Sequence, residues 1–293
     1  MKDVASNADD AVKVTFWGTR GSISTPGSET RKYGGNTPCV TVSYGDDSII
    51  LDAGTGIRPL GLALTKKENH SSASHYILLS HTHWDHIQGL PFFAPAYIPG
   101  TKINIYGSPR KERFLSSILY DQMDNNYFPI KMSELAAEIR INEVSNQIIK
   151  IGNMDISIQE QICHPGGSIR FRIMVAGKVI IYATDVELNS VFQPEQPSQA
   201  AAEQANDYRD FIAGADLLIA DGQYTEEEYR SKKGWGHTSV PLLIQIAQEQ
   251  NVGQLAITHH DPDHSDDFLD FLHHKYKAAK NVFWAREHTT ISI

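Results

Sequence analysis

The sequence predicts a mixed α/β (α+β) fold, with buried strands covered by helices, on three observations. Tyr76-Ile77-Leu78-Leu79-Ser80 and Leu217-Leu218-Ile219-Ala220 are apolar at successive positions, which suits strands buried on both faces. Other segments alternate apolar and polar residues with period two, as half-buried strands do. Residues 240–249 instead carry apolar residues at helical spacing. No repeat of fixed period and no Gly/Pro linker divides the chain, so residues 11–293 are read as a single domain after a polar, flexible stretch at 1–10.

Residues 12–17 alternate as a strand and stop at Gly18-Thr19-Arg20-Gly21-Ser22, and 23–38 is a loop rich in Gly, Ser, Thr and Pro. Residues 39–44 and 48–51 form two strands around a Gly45-Asp46-Asp47 turn, the second running into Asp52-Ala53-Gly54. A helix over 57–65 leads to the strand at 76–80. A Pro-containing loop at 91–100, a strand at 102–106 and a helix over 109–122 follow, while 123–140 shows no firm period. Strands return at 147–151 and 155–162, then at 168–175 and 178–182 around Ala176-Gly177. Residues 187–210, rich in Gln, Ala, Glu and Asp, read as an exposed insertion with some helix. The strand at 217–220 precedes the helix at 240–249, capped by Thr238 or Ser239, and a last strand spans 254–258.

Several of these strands end in metal-ligating side chains. The strand at 76–80 delivers His81-Thr82-His83-Trp84-Asp85-His86, three imidazoles and two further side chains around a carboxylate in one short turn. Burying such groups unpaired costs several kcal/mol, so packing gives no reason for them, and nitrogen and oxygen donors suit Zn²⁺, Mn²⁺ or Fe²⁺. His164 follows the strand at 155–162, Asp185 the strand at 178–182, and His259-His260-Asp261-Pro262-Asp263-His264 the strand at 254–258.

With 293 residues, 41% hydrophobic and 21% charged, the composition is that of a globular protein. A net charge of −9 removes any broad attraction to nucleic acid or an anionic membrane, so an anionic substrate needs local positive charge such as metal ions. The two cysteines, Cys39 and Cys163, read as buried small hydrophobes. Together with an opening that lacks a signal-peptide core, they predict a cytoplasmic location. No stretch approaches the roughly 20 apolar residues of a membrane span.

Taken in order, His81, His83, Asp85 and His86, then His164, Asp185, Gly236-His237-Thr238-Ser239 and Thr258-His259 resemble the metallo-β-lactamase fold superfamily, and within it the ribonuclease Z and cyclic phosphodiesterase branch. Gly18-Thr19-Arg20-Gly21-Ser22 and Leu51-Asp52-Ala53-Gly54 fit the same resemblance. It implies a four-layer αββα sandwich with the site at one edge. It also implies His81, His83 and His164 on one metal, Asp85, His86 and His259 on a second, and Asp185 bridging both. Two divalent ions follow, Zn²⁺ or Mn²⁺ with Fe²⁺ admissible, since one metal takes about three or four protein ligands.

His260 stands as the alternative to His259; otherwise it and His264 are supporting or surface groups, with Asp261 or Asp263 to orient an imidazole. Asp52 reads either as a buried carboxylate beneath the histidine loop or as a plain turn residue. His237 is expected to donate a proton to the leaving oxygen or to contact phosphate, against the plainer reading of a loop histidine bonded to backbone. Asp85, besides ligating, is expected to orient the attacking hydroxide. Trp84 can stack on a nucleobase, and Arg20, Asn36 and Tyr127 are further pocket residues. His70, His75, His273, His274 and His288 are expected at the surface.

The activity implied is hydrolysis of a small cyclic or linear phosphodiester, such as a cyclic nucleotide or a ribose cyclic phosphate, by a metal-bridging hydroxide. The interval from His164 to Asp185 has room for a hairpin but not for the tRNA-gripping arm that ribonuclease Z enzymes carry there. The acidic balance disfavours nucleic acid as a partner, and a homodimer is an expectation from the family alone. Three alternatives stay open: a ribonuclease Z-like tRNA 3′ endonuclease; a lactone or thioester hydrolase, or an iron oxygen chemistry, on the same fold; and a binding protein on a decayed hydrolase. Residues 123–140 and 187–210 are the two segments read as additions to a minimal core, each a lid or a dimer contact.

Overall fold

The computed structural model describes residues 11–66, 73–109, 113–161 and 163–293. The tail at 1–10, His70 and the last residue of the predicted 155–162 strand lie outside them. The strands are β1 (Lys13–Gly18), β2 (Cys39–Tyr44), β3 (Asp47–Leu51), β4 (Ser74–Leu78), β5 (Lys102–Gly107), β6 (Glu138–Glu143), β7 (Gln147–Ile151), β8 (Met154–Gln161), β9 (Ser168–Val175), β10 (Lys178–Ala183), β11 (Leu217–Asp221), β12 (Gln254–Thr258), β13 (Val282–Trp284) and β14 (Thr290–Ser292). The helices are α1 (Ile57–Leu64), α2 (Trp84–Ile87), α3 (Leu115–Asp121), α4 (Asn189–Phe192), α5 (Gln199–Ile212), α6 (Glu226–Ser231), α7 (Val240–Glu249) and α8 (Asp266–Lys275).

Two seven-stranded sheets result, in the orders β14-β1-β2-β3-β4-β5-β6 and β13-β12-β11-β10-β9-β8-β7. Each is mixed. The first is antiparallel from β14 to β3 and parallel from β3 to β6. The second is parallel from β13 to β10 and antiparallel from β10 to β7.

The layer order follows from the pleat, which sends successive side chains to opposite faces. Ile180 and Tyr182 of β10, with Leu217 and Ile219 of β11, join Val14, Phe16, Val40, Val42 and Leu51 in one core between the sheets. Their neighbours Ile181, Ala183, Leu218 and Ala220 pack outward against α5, α7 and α8 through Tyr208, Ile212, Leu243 and Leu269. Ile50, Ile77, Ile103 and Ile105 cover the other outer face against Ile57 and Leu60 of α1 and Leu115 and Leu119 of α3. Three apolar layers between four structural layers make the predicted αββα sandwich, each large buried side chain contributing about 1.5–3 kcal/mol. Strands apolar throughout are the ones with a core on either side.

Strand direction positions the site. β3 and β4 run parallel, as do β10, β11 and β12, and β8 is returned to the direction of β10 by two antiparallel steps. The carboxyl ends of these six strands carry Asp52, the histidine turn, His164, Asp185, Asp221 and His259, and open α/β sheets bind ligands at such ends.

Several expectations need correction. Residues 123–140 include the start of β6, an edge strand whose polar, exposed residues mute its alternation. The helix expected over 109–122 starts at Leu115. Residues 187–210 are not an exposed insertion: Asn189, Val191, Ala205 and Tyr208 are buried, and α5 covers the second sheet. Ser239 takes the N-cap position of α7, but its hydroxyl accepts from Asn189 rather than from the helix. His75 is half-buried, edge-on to Phe93. Cys39 is buried, whereas Cys163 is half-buried with Sγ 3.2 Å from Gln204 Oε1. Among the described residues no helix is long and apolar enough to cross a membrane.

Candidate metal centre

Two groups of donors meet where the carboxyl ends converge: His81, His83 and His164; and Asp85, His86, Asp185 and His259. Within each group the ligand atoms lie inside 4.8 Å of one another. The Asp185 carboxylate stands between the groups. Its Oδ2 is 3.2 Å from His86 Nε2, and its Oδ1 is 3.3 Å from His259 Nε2, 3.7 Å from His81 Nε2 and 3.9 Å from His164 Nε2. His83 Nδ1 and His164 Nε2 are 3.1 Å apart. Donors sharing a tetrahedral cation at about 2.0–2.1 Å stand roughly 3.3 Å from one another, so this donor set fits divalent cations.

The residues behind the cluster fix which nitrogen faces inward. His86 Nδ1 donates to Asp52 Oδ2 at 2.7 Å and His164 Nδ1 to the Gly236 carbonyl at 2.9 Å; both acceptors can only accept, so each ring turns Nε2 toward the cluster. Ser80 Oγ gives its proton to Asp52 and therefore accepts from His81 Nδ1 at 3.1 Å. His259 Nδ1 donates to Gln223 Oε1 at 3.3 Å. The buried Nε2 atoms of His81 and His86 find no hydrogen bond among the described residues. A buried polar atom without a hydrogen bond is costly, and a bound cation would offset that cost.

Asp52 underlies this arrangement, accepting from Ser80 N and Oγ, His86 Nδ1 and Tyr182 Oη at 2.7–2.8 Å. Asp52, Asp185 and His259 all have left-handed backbone, φ 61°, 56° and 60°. Each follows a strand, and the turn it makes aims its side chain at the cluster. Such backbone costs of order 1–3 kcal/mol each, offset only where the surroundings hold it.

The charges are mutually reinforcing. Burial alone would raise the carboxyl groups of Asp85 and Asp185, but His86 and His259 outweigh it and hold both well below the ordinary carboxylate range. Burial pulls His81 well down, while for His86 the nearby Asp185, Asp85 and Asp52 overcome burial and hold it well up; for His259, Asp185, Asp85 and Asp221 overcome burial and carry it to about 9. Without cations the site retains protons that metal binding displaces.

His237 stands beside the second group, its ring stacked on His259 with centroids 4.9 Å apart. Its Nδ1 donates to Asp221 Oδ2 at 2.6 Å, so the plainer reading of a backbone-bonded histidine is corrected. Asp221, Gln223 and Glu187 are site residues beyond those the sequence motifs name. Asp221 ends an apolar strand just as Asp52 does, and that was a usable signal. Glu187, buried, accepts from Tyr229 Oη at 2.7 Å, Gly234 N at 2.9 Å and Gly236 N at 3.0 Å, and so pins the turn that carries His237. A cavity of about 550 Å³ opens beside the first group, lined by His81, His164, Gln161, Ser108 and the Gly166-Gly167 turn.

His259, rather than His260, joins the cluster. His260 donates through Nε2 to the Ala285 carbonyl at 2.8 Å, and burial together with the Arg20 charge pushes it down to about 3. His264 is buried against Glu228 Oε1 at 2.8 Å, not oriented by Asp261 or Asp263. Asp261 instead receives Lys232 Nζ at 2.7 Å. Trp84 and Tyr127 are exposed. Asn36 is not at the cluster: its amide donates to Glu287 Oε2 at 3.0 Å, and it lines a separate cavity of about 270 Å³ with Arg58, Gln88 and Phe92.

Arg20 is likewise not a pocket residue. It is fully buried, with Nε and Nη2 on the Gly34 carbonyl and Nη1 on those of Asp261 and His264 at 2.8–3.2 Å, tying the first loop to the one after β12. Replacing it with Met leaves the Gly34 and His264 carbonyls without this partner and takes one of two donors from that of Asp261, and an unfolding free energy lower by about 3 kcal/mol is expected in urea titration. A loss under about 1 kcal/mol would mean that the clamp is dispensable.

A model of the beta-lactamase superfamily domain matches residues 47–260, which include every member of both donor groups. The chain belongs to that superfamily. A ribonuclease Z from Archaeoglobus fulgidus is 24% identical over 318 aligned positions, covering 96% of this chain and 97% of the relative. The crystal structure of a diphosphatase from the PhnP family superposes with a TM-score of 0.67 at 16% identity, over 96% of this chain and 98% of that one. Zn²⁺-bound PqqB from Methylobacterium extorquens does so with a TM-score of 0.69 at 17% identity, over 96% and 100%. These likenesses establish the metallo-β-lactamase fold.

Proposed function

We propose that this metal-dependent hydrolase cleaves a small cyclic or linear phosphodiester. In this reading His81, His83 and His164 would hold one divalent cation, Asp85, His86 and His259 a second, and Asp185 would serve both. The supporting observation is the Asp185 carboxylate, within 3.9 Å of donors from both groups, with the Asp221–His237 pair beside it. Bound divalent cations lower the pKa of water enough to supply a nucleophile at neutral pH and offset charge on a phosphoryl oxygen. Asp85, which already accepts from Ser22 N at 2.9 Å, orients the attacking oxygen. His237, held by Asp221, presents Nε2 to the departing oxygen and gives it a proton.

A small substrate is supported by what lies between His164 and Asp185. That interval is the β9–β10 hairpin, closed by Ala176-Gly177 at paired Val175 and Lys178, with no arm to grip a large RNA. Bis-para-nitrophenyl phosphate and cyclic nucleotides should be hydrolysed with Mn²⁺ or Zn²⁺ present; no turnover of either would overturn the reading. The end-to-end match to a ribonuclease Z favours a second reading, an RNA endonuclease. Cleavage of precursor tRNA at its 3′ trailer, without hydrolysis of the small esters, would select it.

A further inference from the structure

Four tryptophans occur in the chain. Trp284 is buried, and Trp17 donates through Nε1 to Thr41 Oγ1. Trp84 and Trp235 are 67% and 61% exposed. Neither belongs to an apolar core, and among the described residues neither indole donates a hydrogen bond or meets another ring. Packing gives no reason for them.

Their places in the chain do. Trp84 follows His83, and Trp235 precedes Gly236. His83 Nδ1 is 3.1 Å from His164 Nε2, and His164 Nδ1 donates to the Gly236 carbonyl at 2.9 Å. The two indoles thus leave backbones at either end of one short His83–His164–Gly236 chain that includes two residues of the first donor group. Both backbones are held. Trp84 opens α2, and Glu187 fixes Gly234 N and Gly236 N on either side of Trp235. Gly236 approaches so closely that a Cβ there would fall 2.3 Å from His164 Nδ1.

We propose that Trp84 and Trp235 form a clamp for the planar base of a nucleoside-bearing phosphodiester. This narrows the substrate class and rests on the phosphodiesterase reading. Flat aromatic faces on fixed backbones stack with any base and lose little freedom in doing so.

The test compares thymidine 5′-para-nitrophenyl phosphate with methyl para-nitrophenyl phosphate, which share a leaving group and differ in the base. Trp84→Ala and Trp235→Ala should each raise KM for the thymidine ester by about 10-fold with the methyl ester little changed, and Trp→Phe should restore most of the loss. A second readout needs no turnover: thymidine 5′-monophosphate should quench the tryptophan emission of the cation-free protein saturably, and the double Phe variant should lose that quench. Equal handling of both esters in the wild-type protein, or equal losses on both in the variants, would overturn the clamp while leaving phosphodiester hydrolysis standing. If neither ester is cleaved, the emission titration decides the clamp alone. A concentration-dependent dimer abolished by either alanine variant, without nucleotide quenching, would assign the indoles to a second copy instead.

Discussion

Asp185→Ala is expected to lower turnover of a phosphodiester by about 10³-fold or more and to reduce the metal content of the purified protein. The carboxylate lies within reach of both donor sets, at 3.2 Å from His86, 3.3 Å from His259 and 3.7 Å from His81. Its loss removes the negative charge that three buried imidazoles face and that offsets the charge of an incoming cation. Several kcal/mol of charge stabilisation at about 1.4 kcal/mol per factor of ten gives the stated size. Asp52→Asn is a graded comparison: it keeps the shape but weakens the acceptor behind His86, and losing such a supporting partner typically costs about 10–100-fold in metal affinity. Metal analysis and kcat on the same preparations check both. An Asp185→Ala protein with its full metal complement and near-normal kcat would remove the shared carboxylate from the account.

The donor groups were legible in sequence because chemistry and topology coincide. A strand buried on both faces has nowhere polar to go until it ends, so a histidine or aspartate immediately after such a run lies at the edge of the sandwich. Asp52, His81, Asp185 and His259 all obey that rule, and so does Asp221. What sequence could not supply was which side chain is consumed by structure. Arg20 and Asn36 sit in a loop of small polar residues that resembles a binding loop. In the fold they pay for crossing the sheet edge by pairing with the carbonyls of Gly34, Asp261 and His264 and with Glu287.

Secondary structure divides along the same line. β9, β11 and β12 are legible because burial imposes a pattern along them, and β7 because its isoleucines sit in a short run beside a turn. β13 and β14 have three residues each, too few to show one. α6 and α8 did carry a readable signal. Thr225 and Glu228 form a capping box, and Ser265 accepts from Phe268 N ahead of Asp266-Asp267, with His273-His274-Lys275 in the last turn. α6 holds the loops on two sides: its Tyr229 donates to Glu187, and its Glu228 pairs with His264. The centre is therefore supported by elements whose own sequence reads as ordinary surface.

His237→Ala should leave metal content intact and lower kcat by about 10²–10⁴-fold, but only for substrates whose departing oxygen needs a proton. The distinction follows from the leaving group. Para-nitrophenolate leaves readily as an anion, whereas the hydroxyl of a ribose does not. A cyclic nucleotide should therefore show the full loss and bis-para-nitrophenyl phosphate little. Asp221→Asn should reproduce the same leaving-group dependence at smaller size. Its carboxylate fixes His237 Nδ1 at 2.6 Å and turns Nε2 outward, whereas an amide can present its NH₂ and select the other tautomer. A purely structural role for the pair predicts equal losses on both substrates, because a displaced loop does not distinguish leaving groups. Parallel kcat measurements on the two esters, with melting temperature and metal content as controls, separate these outcomes, and equal losses would reassign His237 to holding the turn after Gly236.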